Sequence, residues 1–182
     1  AVRWEFQPSQ GKMITSKDYK PSASVSTLSG VLHVFRGSTN GAGVIYWPNG
    51  QKYITCTVSN GVFTGGWEIF HEDGRKWVTG QYDQDGRQTA RWTTWDSTGQ
   101  KDTESFYRAG IPSGLWGTWH TNGSIASVTA YVKGVDGEVQ GMTVAWDDKG
   151  NITYDGCSND PTPISRPLST NWVRDLDFQW AK

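Results

Sequence analysis

The 182-residue chain has no apolar run near the roughly 18 residues that a membrane-spanning helix requires, so no transmembrane segment is expected. It has no excess of one charge either. Lysine plus arginine is 17 and aspartate plus glutamate is 18, giving a net charge of −1 and a pI near 6.3. No arginine-rich stripe is present, which argues against nucleic acid as a partner. Leucine is scarce, confined to Leu28, Leu32, Leu115, Leu168 and Leu176, and helical cores are usually rich in it. Catalytic signatures are missing too: there is no G-x-S-x-G elbow, no P-loop and no C-x-x-C. The chain begins at Ala1 with no signal-like apolar stretch before Trp4. That start fits a leader cleaved after a small residue, so the expectation is a periplasmic protein, with the cytoplasm as the alternative.

What the chain does have is glycine, 22 residues of it, and 11 tryptophans. A balance of Trp, Thr, Tyr, Val and Gly points to strands joined by tight turns. The turn glycines expose a repeat. Gly50, Gly74, Gly99, Gly123 and Gly150 are separated by 24, 25, 24 and 27 residues. Four before each stands an aromatic: Tyr46, Phe70, Trp95, Trp119 and Trp146. Seven before stand Gly43, Trp67, Trp92, Trp116 and Thr143, and nine before stand Gly41, Gly65, Ala90, Gly114 and Gly141. Eight after come Val58, Tyr82, Tyr107 and Tyr131. The unit G-x-W-x2-W-x3-G-x7-Y is clean in its middle copies and degraded at the ends, as caps of a repeat array are.

Each unit reads as a β-hairpin. Asn49-Gly50 and Asp73-Gly74 suit a type I′ turn, and a second set of turn signals, Asn60-Gly61, Asp85-Gly86, Ala109-Gly110 and Asp136-Gly137, links one hairpin to the next. The predicted fold is all-β, an antiparallel meander of stacked hairpins. A two-residue turn would set position −4 against +3 and position −7 against +6, counting from the glycine. Trp67 then lies beside Gly80, Trp92 beside Ser105 and Trp116 beside Thr129, large against small. Alternation puts the residues at −7 on one face, here face A, and those at −4 on the other, face B. Most of "GGWEIFHEDGRKWVTGQYDQDG", residues 65–86, is thus required by the repeat itself.

These residues resemble the MORN family, in its bacterial variant built from units similar to W-x2-Y/W-x3-G…Y-x2-G. The match covers residues 41–156, with "WEIFHEDGRKWVTGQY" and "GLWGTWHTNGSIASVTAYVKG" its clearest copies; residues 142–156 lack the first Trp and the final Tyr. The resemblance implies a hairpin-stacked sheet used for protein contact, sometimes with lipid association. It also implies an antitoxin or immunity role against a delivered toxin, including toxins that attack membrane lipid. A scaffold of this kind can carry many sites.

Three segments are expected: a polar N-terminal arm over 1–30, the repeat domain over 31–156, and a Pro-rich segment with an amphipathic lid over 157–182. Trp4 and Phe6 suggest that the arm docks at its start. In the lid, Trp172, Leu176 and Trp180 recur every four residues behind a Ser169 or Thr170 cap, as a short helix would place them. The alternative is a partner-binding tail.

His71 and His120 share the position three before the glycine with Trp47, Asp96 and Asp147. Repeats lie two strands apart, about 9 to 10 Å, too far for a common metal ion, so neither metal nor cofactor is expected. Cys56 and Cys157 can bond only if the sheet closes or the chain doubles back after Gly156. Asp102 and Glu104 should share face B with Glu68, a spacing that glycoside chemistry could use, although no pocket is predicted there and no enzyme is expected. The favoured reading makes face B a protein interface, with Phe70, Trp95 and Trp119 as anchors among Glu68, Asp102 and Glu104. Its partner would be a toxin with a basic cleft. The alternative is a glycan- or lipid-surface-binding module, with Lys52, Lys76 and Lys101 favouring anionic lipid in a peripheral membrane contact.

Overall fold

A computed structural model of the protein describes residues 3–8, 14–15, 40–133 and 137–157. The described strands are β1 (Arg3–Pro8), β2 (Ile14–Thr15), β3 (Asn40–Tyr46), β4 (Lys52–Ser59), β5 (Val62–Phe70), β6 (Lys76–Tyr82) and β7 (Gln88–Trp95). After them come β8 (Lys101–Arg108), β9 (Ile111–Pro112), β10 (Gly114–Trp119), β11 (Ile125–Lys133), β12 (Val139–Trp146) and β13 (Ile152–Cys157). They form one antiparallel sheet in the order β13-β12-β11-β10-β8-β7-β6-β5-β4-β3-β1-β2, with β9 beside β8. The sheet is an open meander, and no helix occurs among the described residues. The helix and lid expected over 157–182 lie beyond Cys157, outside the described residues.

The repeat turns are one residue longer than the two-residue loops that the Asn-Gly and Asp-Gly pairs suggest. The His71 carbonyl accepts from Gly74 N–H at 2.9 Å, and His71 N–H donates to the Arg75 carbonyl at 2.8 Å. The same pair of bonds closes the turns at Gly50, Gly99, Gly123 and Gly150. Each is a three-residue loop, a type I turn followed by one left-handed residue. Only the glycine has positive φ (87° at Gly74), and Asn49, Asp73 and Asn122 do not. The type I′ form instead occurs in two links between hairpins, at Asn60-Gly61 (49° and 76°) and Ala109-Gly110 (50° and 82°). The residue before the repeat glycine is therefore free to be Thr98 or Lys149.

One side-chain acceptor holds each repeat turn. Where Asn or Asp precedes the glycine, as at Asp73, its Oδ1 accepts from the N–H two residues on, here Arg75 at 2.9 Å. Where it does not, an Asp three before the glycine substitutes: Asp96 Oδ1 accepts from Thr98 N–H at 2.8 Å and Gln100 N–H at 3.0 Å. Asp147 does the same for Lys149 and Asn151.

The three-residue loop sets position −4 against +2, not +3: Phe70 faces Lys76 and Trp95 faces Lys101. A bulge then absorbs the residue at +3 and restores the register. Beyond it Trp67 pairs with Gly80, Trp92 with Ser105 and Trp116 with Thr129, as the pattern predicts. The indole, however, leans toward the preceding strand. Trp92 covers Gly80, and its Nε1 donates to the Gln81 carbonyl at 3.2 Å. Trp116 Nε1 likewise donates to the Phe106 carbonyl at 2.9 Å.

On face A the residues at −7 and +8 merge into one ladder of rings. Trp67, Tyr82, Trp92, Tyr107, Trp116 and Tyr131 follow one another with centroids 5.8, 5.1, 6.5, 5.0 and 4.7 Å apart. Such contacts each add about 0.5–1.5 kcal/mol beyond area burial. Toward β3 the ladder gives way to Ile45, Ile54, Cys56 and Val58, all buried. Cys56 is a free thiol whose pKa burial pushes up to about 12, which makes it unreactive.

A Cβ at Gly80 would stand 2.2 Å from the Trp92 ring. Gly80→Ala should cost about 1–3 kcal/mol of unfolding free energy by urea titration. Ala90, by contrast, is held at φ 57° where other repeats place Gly65 and Gly114. Ala90→Gly should stabilise by about 0.5–1 kcal/mol in the same assay, and a loss would show that the Ala90 methyl packs favourably.

Candidate functional site

Face B is built from a row that crosses nearly the whole sheet. Directly paired residues share a face, so Glu5, Val44, Thr55, Glu68, Thr79, Thr93, Glu104, Gly117, Val128, Val144 and Asp155 form one line. Thr93, Glu104, Val128 and Val144 in it are buried. Two positions nearer the turns runs the row of Tyr46, Phe70, Trp95, Trp119 and Trp146. Between these aromatics stand Lys52, Lys76 and Lys101, each the register partner of the aromatic in its own hairpin. Ring and cation alternate from strand to strand as far as Trp119, and Ile125 and Ile152 then stand where the lysines did.

The acids expected to face a partner are held by these cations. Glu104 is only 4% exposed, with Lys101 Nζ at 2.8 Å and Arg91 Nε at 3.5 Å. The Lys101 ammonium also sits 4.8 Å from the centroid of the Trp119 ring, and that ring lies over Gly117. Arg91 stands over Phe106 at 5.1 Å. Glu68 takes Lys76 Nζ at 2.9 Å and the Thr55 hydroxyl at 3.1 Å. The Lys76 bond is the main reason that the Glu68 carboxyl is held below its usual range, against the opposing effect of partial burial.

Of the six residues expected at the site, five share face B: Glu68, Phe70, Trp95, Glu104 and Trp119. Asp102 does not join them. It falls in the bulge after Lys101 and accepts from Thr94 Oγ1 at 3.3 Å, while Thr94 pairs with Thr103 on face A. The bulge resets the alternation on which the sequence expectation rested. Glu68 and Glu104 are three strands apart, about 14 Å, beyond the range of paired glycosidic carboxylates. Arg91 and Gly117 went unnoticed in the sequence because their roles depend on the next strand.

The His row has a structural role. His71 Nε2 lies 3.3 Å from the Trp95 carbonyl, and His120 Nε2 lies 2.9 Å from the Trp146 carbonyl. A carbonyl only accepts, so Nε2 carries the proton in both. Trp47 Nε1 makes the same bond to the Phe70 carbonyl at 3.0 Å. Each ties one hairpin to the next through the residue at −4. Among the described residues no group of three His, Cys, Asp or Glu side chains could hold a metal ion. No described helix is long and apolar enough to cross a membrane.

No protein-family model, curated protein or solved structure matches this chain.

Hydrogen bonding holds several turn carboxyls below their usual range: Asp73 through Arg75, Asp83 through the Arg87 backbone, Asp96 through Thr98 and Asp147 through Asn151. A folded-state pKa below the unfolded one means stability that is full above the unfolded pKa and lost as pH falls through the folded one. The melting temperature should therefore hold steady down to about pH 5 and drop steeply below about pH 4. Asp96→Asn, which keeps an acceptor but cannot titrate, should flatten that slope; an unchanged slope would show that this turn does not contribute.

Proposed function

We propose that the protein is a non-enzymatic, MORN-like immunity or antitoxin protein that covers a toxin with face B. One observation carries this reading: Trp95 stands near the middle of the aromatic row, and among the described residues no ring or cation stacks on its indole. Its register partner Lys101 is engaged instead with Glu104 and Trp119. A partly buried tryptophan on a rigid sheet, bordered by ion pairs that already satisfy one another, has the make-up of an interface anchor inside a polar rim. Phe70 and Trp119 extend it along the row.

The internal pairing changes the partner's chemistry. With Glu104 and Glu68 neutralised by Lys101, Arg91 and Lys76, the face does not present the ring of free acid that a basic cleft would need. Aromatic and apolar contact is favoured over charge attraction, and the effector's own reaction, on lipid or otherwise, does not enter this reading. The same pairing weakens the alternative of a glycan- or lipid-surface module, because Lys76 and Lys101 already have carboxylate partners and only Lys52 of the three lysines has none among the described residues.

Affinity capture from the source cells, followed by an inhibition assay on any stoichiometric toxin, tests the role. Trp95→Ala should weaken capture by about 30-fold or more while lowering the melting temperature by less than about 5 °C. Undiminished capture by that variant would remove face B as the interface.

A further inference from the structure

The strand pairing is interrupted at each link between hairpins, after Thr64, after Thr89 and, over the longest stretch, after Pro112. β10 begins at Gly114, whereas its neighbours β8 and β11 run on to Arg108 and Lys133, and the short β9 pairs only with β8. Between those neighbours lies a groove of about 610 Å³ whose lining includes Phe106, Arg108, Ile111, Tyr131, Val132 and Lys133. Ile111 and Val132 are 53% and 51% exposed, among the most exposed large apolar side chains described. The volume falls inside the range of small-molecule sites.

Charge says what could fill it. Arg75, Lys76, Arg87, Arg91 and Lys101 are each held by a carboxylate. Arg108 and Lys133, like Lys52 and Lys149 elsewhere, have no carboxylate partner among the described residues, and these two line the groove. Alternation puts Arg108 on face B with Phe106, Ile111 and Val132.

We propose that this groove binds a small amphipathic anion, a flat apolar body of one or two fused rings bearing a single carboxylate or sulfonate. The body would pack against Phe106, Ile111 and Val132 on face B, and the anion would meet Arg108 on that face, Lys133 being the other cation of the lining. No bond forms or breaks. The site is separate from the Trp95 surface and stands or falls without it.

The test is calorimetric titration of the whole chain with 1-naphthoate, and with 1-naphthalenemethanol as its uncharged counterpart. Saturable one-site binding of the naphthoate is expected with a Kd below about 1 mM, and with clear preference over the alcohol. The double substitution Arg108→Gln, Lys133→Gln should weaken the naphthoate about tenfold and erase that preference, with an unchanged urea midpoint. Three results would overturn the proposal: no saturation by about 5 mM, equal affinity for the alcohol, or full affinity in the double variant. The ligand comparison on the unaltered chain decides the matter even if the variant folds poorly.

Discussion

The middle hairpins of the sheet depend on an indole seven residues before the turn glycine, and those of Trp92 and Trp116 are laid across the strand before. Among the described residues the sheet has no second layer to supply apolar burial, and large rings packed edge to edge supply it. Trp92 lies over Gly80 and donates to Gln81, and Trp116 donates to Phe106, so each ring is fixed by a hydrogen bond as well as by packing. The tyrosines eight after the glycine fill the intervals. Because the indole reaches backward, a hairpin is completed only by its successor, which couples neighbours as in other repeat arrays. The same geometry dictates a small residue at +6, where Gly80, Ser105 and Thr129 stand.

The turn edge is held by a second, polar set of links. Each repeat turn needs one side-chain acceptor, and either Asx position satisfies it. When the acceptor sits next to the glycine, the position three before it is released for a donor. Trp47, His71 and His120 use that freedom to bond the carbonyl of the following hairpin. When Asp96 occupies that position instead, Gln100 provides the link, donating to the His120 carbonyl at 2.9 Å. A row that looks like a broken metal site is thus a choice between two ways of stapling a turn.

Face B shows how a sheet can bury charge in its midline. Glu104 is nearly inaccessible, yet both of its cations reach it from partly exposed positions, so the pair is satisfied without immersing the lysine or arginine. Engaging Lys101 with Glu104 and Trp119 leaves Trp95, like Phe70 and Trp146, with no stacked ring or cation among the described residues. The feature that favours a partner therefore comes from which neighbour a lysine chose, a matter of side-chain packing.

The sequence by itself determined the period, the all-β meander, the opposition of the two aromatic rows and the pairing of Trp67, Trp92 and Trp116 with small residues. Those follow from alternation and glycine spacing, which are local and repeat often enough to be read. It did not determine the turn type, because Asn-Gly serves two loops equally well and the register of the flanking strands selects between them. Tertiary structure also decided that Asp102 leaves face B, since a bulge is one unpaired residue with no mark of its own in the chain. The neutralisation of Glu68 and Glu104, and the gap where β10 starts late, belong to contacts between strands, and only the folded sheet brings those residues together.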